Sequence, residues 1–407
     1  MKVQLPKFNK AKPVKDRHIY IIAIILILLV ISTFFSASKI SGLQSLIASL
    51  KNEVTSLTQE KDKNLTELEK IGKELDEMKN QDQVKKNNEL QTQIQNIEKT
   101  YDKAVDIYED LLDLKAKIKD SKTFDNLFAK ALADLSKRDF GAADAGLNDL
   151  ANKIKEEETK IAASFTIPAN VPESNTAPGG GYSRQQVQAD SATFLVNIIA
   201  ADLASTRVIV DTASDSDCSN NCPTLPLATY VSRSGGFAGI HGAYACPAEY
   251  PSCAGKTNSF DLLIMNKNKY YFNSGNNVYS TNPAVIFGNG WIRFVAHASE
   301  WGRDTSVDGV LTNFPLLVFN NNITYSEPGD SKMSIRSSRG FVANKGNTVY
   351  VGVVSNATVS ESAKVLKALG MENAMNLDGG GSTALWYGGY KAGPGRNLTN
   401  AIILTKK

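Results

Sequence analysis

Apolar and polar positions follow three different rhythms along the 407 residues. The first is unbroken: Ile19 to Phe35 is a continuous apolar run interrupted only by Ser32 and Thr33, about the 17–20 residues a helix needs to cross a bilayer. From Leu43 the rhythm is heptad. Ile47, Leu50, Val54 and Leu57, then Leu68, Ile71, Leu75 and Met78, recur in steps of three and four, with Lys61 and Asn64 interrupting the seam and polar residues between. The phase slips near Gln83–Asn88 and resumes with Leu90, Ile94, Ile97, Tyr101, Ala104, Tyr108, Leu111 and Ile118. This predicts a coiled coil that unwinds locally or turns back at the slip. A parallel homodimer or trimer is the preferred arrangement, with a folded-back hairpin as the alternative. Two further amphipathic helices are expected over 123–162, carried by Phe124, Leu127, Phe128, Leu132 and Leu135, then Leu147, Leu150, Ile154 and Ile161, and joined around Asp139–Gly146.

The third rhythm follows a break. Residues 163–184 hold Pro168, Pro172, Pro178 and Gly179–Gly181, a composition that sustains neither helix nor core and reads as a linker. Beyond Gln185 come short apolar runs separated by Asn-, Gly- and Ser-rich turns: Phe194–Ala200, Arg207–Val210, Ser259–Met265, Val285–Phe287, Leu316–Phe319, Asn347–Val354 and Asn400–Leu404. These are strand signals. One helix stands among them, with Thr358 and Glu361 as a capping box, Ala363, Leu366 and Leu369 on one face, and Gly370 as its stop. The predicted organisation is a basic tail (1–18), a transmembrane helix (19–37), a coiled-coil and helical stalk (40–162), the linker (163–184) and an α+β domain of mostly strands with one or two helices (185–407).

Charge orients this arrangement. The net charge is +3, yet Lys2, Lys7, Lys10, Lys12, Lys15 and Arg17 all precede the apolar run, against Asp16 alone. The positive-inside rule keeps this tail in the cytoplasm and sends the rest of the chain outside as a single-pass protein, extracellular or periplasmic. A cleaved signal peptide is the rival, with Ser36-Ala37-Ser38 as a weak cleavage site. A nucleic-acid partner is not expected, because the basic excess lies off the folded domain. Cys218, Cys222, Cys246 and Cys253 are the four cysteines. Clustered in an exported domain, they read as two disulfides with three pairings open. Zinc is disfavoured, because neither spacing is that of a knuckle.

The sharpest feature is Asn376-Leu377-Asp378-Gly379-Gly380-Gly381-Ser382-Thr383. Three glycines let backbone approach a ligand closely. Their N–H groups can form an anion-binding nest, to which Ser382 and Thr383 add hydroxyls, and Asp378 can serve as base, nucleophile or cation ligand. No Lys follows to make a P-loop.

These residues resemble the signature of the phosphodiester glycosidase family, from Gly370 through Thr383. Ser338-Arg339-Gly340-Phe341-Val342-Ala343 resembles the family's Arg-centred strand, with Ala343 where Gly is usual. Asn313-Phe314-Pro315-Leu316-Leu317-Val318 resembles its PxLV segment, and Pro394-Gly395-Arg396-Asn397 with Asn400-Ala401-Ile402 its closing strand. The likeness covers roughly 190–407. One segment departs: in Gly239-Ile240-His241-Gly242-Ala243-Tyr244-Ala245, His241 replaces the family's Asn and Ala245 its Phe.

The resemblance implies hydrolysis of a sugar esterified through its anomeric carbon to a phosphodiester, with a glycan phosphodiester as substrate. Arg339 and Arg396 would hold the phosphate together with Gly379, Gly380, Gly381, Ser382 and Thr383. Asn376 and His241 would contact substrate, and Asp378 would act on water or on the anomeric carbon. Glu361 is the candidate second carboxylate. No cofactor is required; oxygen-ligated Ca2+ near Asp378 is an option, and with only His18, His241 and His297 a multi-His metal site is not. The polar run His297, Glu300, Arg303, Asp304 and Asp308 reads as loop. Two alternatives belong to other classes: a non-catalytic glycan-binding module, and an envelope scaffold whose working part is the coiled coil.

Overall fold

The computed structural model describes residues 16–273, 280–326 and 331–407. The expected basic tail lies outside the described residues as far as Lys15. The chain divides into two compact units after Ile94. The first consists of helix α1 (Asp16–Lys79) and the start of α2 (Asp82–Lys115). Helix α1 contains the apolar run, with a mean hydropathy of 2.7 over its most apolar window, and is the one described helix long and apolar enough to cross a membrane. Its heptad positions Ile47, Leu50, Val54, Leu57, Leu68, Ile71 and Leu75 are all exposed. The helix break falls at Asn80–Gln81, slightly before the expected phase slip.

The second unit begins with a three-helix bundle. From Ala104 onward the apolar seam of α2 acquires partners: Ala104, Ile107, Leu111 and Leu114 bury against Ala131, Leu147, Leu150 and Ile154 of α3 (Lys122–Ser136) and α4 (Phe140–Ser164). Asp139 caps α4 by accepting from the Ala142 N–H. The joint expected at Asp139–Gly146 is therefore shorter, because a local cap ends the turn at Asp139. The linker differs too. Val171 is buried, and the Gln186 N–H donates to the Pro172 carbonyl. Strand β1 begins at Gly181, so this stretch is laid along the domain rather than free.

Three antiparallel sheets follow. The seven-stranded sheet runs β1 (Gly181–Ala189), β2 (Ala192–Asp202), β13 (Thr348–Ala357), β12 (Ser337–Lys345), β14 (Asn373–Gly379), β10 (Leu316–Phe319), β11 (Asn322–Ile323). The second runs β16 (Tyr390–Ala392), β15 (Leu385–Tyr387), β4 (Gly236–His241), β17 (Asn400–Lys406), β3 (Thr206–Thr212), and the third β6 (Tyr271–Phe272), β5 (Ile264–Met265), β9 (Gly309–Thr312), β7 (Ala284–Gly288), β8 (Trp291–Val295).

The pleat sends alternate residues of the large sheet into two cores. Ile199, Val342, Val351, Met375 and Leu377 meet Val210, Ile240, Leu311 and Ile402 of the other sheets. Val196, Ile198, Phe341 and Ala374 face Val359, Ala363 and Leu366. Those last residues belong to α7 (Val359–Ala368), which follows a short α5 (Leu227–Arg233) and α6 (Ser331–Ser334). Burial on both faces explains the nearly continuous apolar runs in β2 and β13. The capping box at α7 forms as its sequence predicts, with Gly370 at positive φ just beyond. The domain is α+β, mostly strand.

Candidate active site

Strand β14 runs through the middle of the large sheet and delivers Asp378 and Gly379 to its end. There the Asp378 N–H donates to the Gly242 carbonyl at 3.1 Å, which joins β14 to the end of β4. The glycines then turn through Gly380–Ser382 into β15. His241, the last residue of β4, is wholly buried in the angle. Its Nδ1 lies 3.1 Å from the Ala384 N–H and its Nε2 2.5 Å from the Asp378 carbonyl oxygen. A Cβ on Gly340 would collide with the imidazole, so the close packing of β12 on β4 requires glycine there. Burial pushes the His241 pKa down and keeps the ring neutral.

A cavity of about 20 Å3 opens here, lined by His241, Asp378, Ser382, Arg396, Asn397 and Asn400 among others. It has room for roughly one water. Asp378 is half-buried, and its Oδ1 accepts the Gly379 N–H at 2.7 Å. Burial raises its pKa above the usual carboxylate range; the Ser382 hydroxyl, His241, the Gly379 N–H and Arg396 pull the other way. The Arg396 guanidinium occupies the space a Cβ on Gly381 would need, and the Arg396 N–H donates to the Gly381 carbonyl at 2.8 Å. Its Nη1 is buried without a hydrogen bond, with the Glu249 carboxylate 3.6 Å away.

Not every residue singled out from the sequence reaches this cavity. Arg339 is buried: its Nε donates to the Ala357 carbonyl at 3.1 Å and its Nη2 to the carbonyls of Lys332, at 2.9 Å, and Ile335. It backs the turn at Gly379 instead of lining the cavity. Asn376 lies beneath, its Nδ2 donating to Tyr244 Oη and to the Phe314 and Leu377 carbonyls, while its Oδ1 is buried without a partner. Glu361 is occupied in its capping box and pairs with Arg336, away from the cavity. Thr383 donates its hydroxyl to the Ser338 carbonyl. The expected nest is partly spent, because the N–H groups of Gly379, Thr383 and Ala384 all serve acceptors within the chain. His297 and Glu300 cap a short 3-10 turn, and Asp308 pairs with Arg207.

The four cysteines resolve into Cys218–Cys222 and Cys246–Cys253. The second closes a loop whose Pro247 lines the cavity. Sequence reasoning passed over Glu249, Asn258, Asp261 and Asn400. The Asp261 carboxyl is raised by burial and by the charge of Asp378, which sets the two in one field. Asn400 stands in the closing-strand motif itself, a signal that could have given it a role in the site. Among the described residues no group of three or more His, Cys, Asp or Glu gathers as a metal site, so Ca2+ at Asp378 gains no support there.

Residues 254–405 match the sequence profile of the family described as phosphodiester glycosidase. That stretch is a phosphodiester glycosidase domain by its sequence profile. Strands β1–β4, which precede the matched stretch, complete its sheets and supply His241. A phosphodiester glycosidase domain places this part of the chain among the hydrolases. No curated protein matches the chain. Among solved structures, it is similar to a hypothetical protein from Synechocystis at 13% identity, with a TM-score of 0.42, over 56% of this chain and 62% of that one. It is also similar to the catalytic domain of zebrafish N-acetylglucosamine-1-phosphodiester α-N-acetylglucosaminidase, auto-inhibited by its pro-peptide, at 15% identity with a TM-score of 0.45, over 58% and 87%.

Proposed function

We propose that the phosphodiester glycosidase domain cleaves glycosyl-1-phosphodiesters in cell-surface or extracellular glycans. The observation that carries this reading is the buried Nη1 of Arg396 in the cavity that holds Asp378, which makes no hydrogen bond and has only the exposed Glu249 carboxylate 3.6 Å away. A buried guanidinium donor with no hydrogen bond favours an anion closer than that carboxylate, and phosphate oxygens fit its geometry.

In this mechanism the sugar lies across the cavity mouth with its phosphodiester against Arg396, and the cavity holds the attacking water. Asp378, whose raised pKa suits a general base, takes one proton from that water. The water oxygen bonds to the anomeric carbon, the carbon–oxygen bond to phosphate breaks, and the electron pair leaves on the phosphomonoester. The leaving group is a weak base, so Arg396 stabilises it without a dedicated acid. Arg339 supports the turn from behind, and His241 holds the two backbone ends that shape it.

The apolar run of α1 would anchor the protein in the cell membrane in a single pass, tail inside and domain outside. The exposed heptad seam would bury against other copies of the same chain as a coiled coil. The test is to offer the protein glycosyl-1-phosphodiesters and identify products by mass. Free sugar with a phosphomonoester, lost in Asp378→Asn, supports the reading. Sugar phosphate with alcohol would mean P–O cleavage and overturn it. Binding without turnover would favour a glycan-binding module.

A further inference from the structure

The helical bundle meets the pocket through acidic side chains on the face of α2 that points away from the bundle core. Glu109 is almost completely buried, whereas Asp106 on the preceding turn is exposed. Its Oε1 accepts the backbone N–H of Ser252 at 3.1 Å, and its Oε2 lies 3.6 Å from Lys332 Nζ. One turn further on, Asp113 accepts the Tyr250 hydroxyl at 2.6 Å. Lys332 Nζ stands 4.6 Å over the Tyr250 ring, closing the group.

These partners lead to two sides of the pocket. Tyr250 and Ser252 belong to the loop closed by Cys246–Cys253, which carries Pro247 at the cavity and Glu249 opposite Arg396. The Lys332 main-chain carbonyl accepts Arg339 Nη2, and Arg339 backs Gly379. A carboxylate in this position holds two loops that no sheet hydrogen bond connects. Burying it is costly unless both contacts are made, so the arrangement has a single well-satisfied geometry.

We propose that Glu109 is a positioning residue for the pocket: it fixes the Cys246–Cys253 loop and the Lys332 segment so that Pro247 keeps its place in the cavity wall and Arg339 supports Gly379. The bundle of residues 95–164 is then a working part of the hydrolase and not a spacer. The inference rests on the reading of Arg396 as the phosphate holder.

The test uses the full chain with Glu109→Ala, Glu109→Gln and Lys332→Met. Three quantities are read: KM and kcat on glycosyl-1-phosphodiesters, the Kd for inorganic phosphate by calorimetry, and hydrogen exchange across residues 246–253. Glu109→Gln keeps an acceptor for the Ser252 N–H but loses the charge facing Lys332. The expected result for Glu109→Ala is a KM and phosphate Kd raised about tenfold, the effect of one lost charge-assisted hydrogen bond. Its kcat should change less, and the loop amides should lose protection while the bundle amides keep theirs. Glu109→Gln should fall between Glu109→Ala and the unaltered protein. A merely structural role would lower stability without splitting KM from kcat. Glu109→Ala protein with unaltered KM, phosphate affinity and loop exchange overturns the proposal. If Glu109→Ala does not fold, Lys332→Met decides by the same readouts. If the unaltered protein binds phosphate but turns over no diester, the functional reading fails, and the phosphate Kd of the variants still judges the clamp. If it binds no phosphate either, there is no anion pocket to position and the proposal falls.

Discussion

The imidazole of His241 bridges two backbone groups of the glycine turn, taking the Ala384 N–H on Nδ1 and reaching the Asp378 carbonyl with Nε2 at 2.5 Å. Nε2 faces the Asp378 carbonyl oxygen and so carries the proton of the neutral ring, which leaves Nδ1, 3.1 Å from both the N–H and the carbonyl oxygen of Ala384, to accept from that N–H. The tautomer is therefore set by the main chain. The family's Asn also presents one acceptor and one donor, so the replacement preserves the chemistry of the bridge while changing its reach.

Removing the bridge should cost stability. His241→Ala leaves a buried donor and a buried acceptor unmet, a loss of about 2–4 kcal/mol, and His241→Asn should lose less, as measured by denaturant unfolding. The pH dependence has a defined sign. The folded-state pKa of His241 lies below its ordinary 6.5, so only the unfolded chain binds the proton between the two values. Stability from this group is complete above about 6.5 and falls as pH drops below it. The stability gap between the unaltered protein and His241→Asn should accordingly narrow on acidification.

Asp378→Asn should lower kcat by at least about 100-fold, the usual size of a general-base contribution. Since the base must be ionised and burial raises its pKa, the acid limb of kcat/KM should sit above the ordinary aspartate range near 4. Ser382→Ala removes a hydroxyl that favours the carboxylate and should move that limb further up. A pH-rate profile for each protein is the measurement, and a limb unmoved by Ser382→Ala would count against Asp378 as the base.

Arg396→Lys should raise KM roughly tenfold, because an ammonium replaces a planar fork. Glu249→Gln should do the reverse. It frees Arg396 Nη1 from its exposed carboxylate partner and should lower KM, with the gain shrinking at high salt. Initial rates at two ionic strengths check both.

Glu361→Ala should lose about 1 kcal/mol of stability through its capping box while leaving kcat within roughly twofold, since ordinary surface changes do not reach the chemistry. Thermal unfolding paired with turnover separates the two effects. A hundredfold drop in kcat would return this carboxylate to the mechanism.

Much of the domain was legible because its strands are apolar on both faces. Leu316–Phe319 forms β10 with the bounds read from sequence, and the runs in β2, β13 and β17 mark strands. Strands β4 and β12 were harder to read, since Gly236, Gly239 and Gly340 interrupt them. Those glycines are there for close approach across the sheets. At the site, Asp378 and Ser382 were readable from the glycine turn, and Arg396 from the family resemblance. Arg339 was legible as important but not in its role, because nothing in a sequence says whether a guanidinium will meet a ligand or three backbone carbonyls. Glu109 was invisible for a related reason. In a helix that carries Asp106, Asp110 and Asp113 beside it, one acidic residue looks like any other until its helix docks.

Strand β17 carries Asn400 at the cavity and is inserted between β4 and β3, far from both in sequence. A chain emerging from the ribosome therefore presents β3 and β4 with open edges until residues 400–406 arrive. The pocket is assembled from pieces about 160 residues apart, from His241 to Asn400, with its last wall delivered after all the others. Nascent chains stopped anywhere short of β17 would lack Asn400 at the cavity, so the proposed hydrolysis would begin only once β17 has been made.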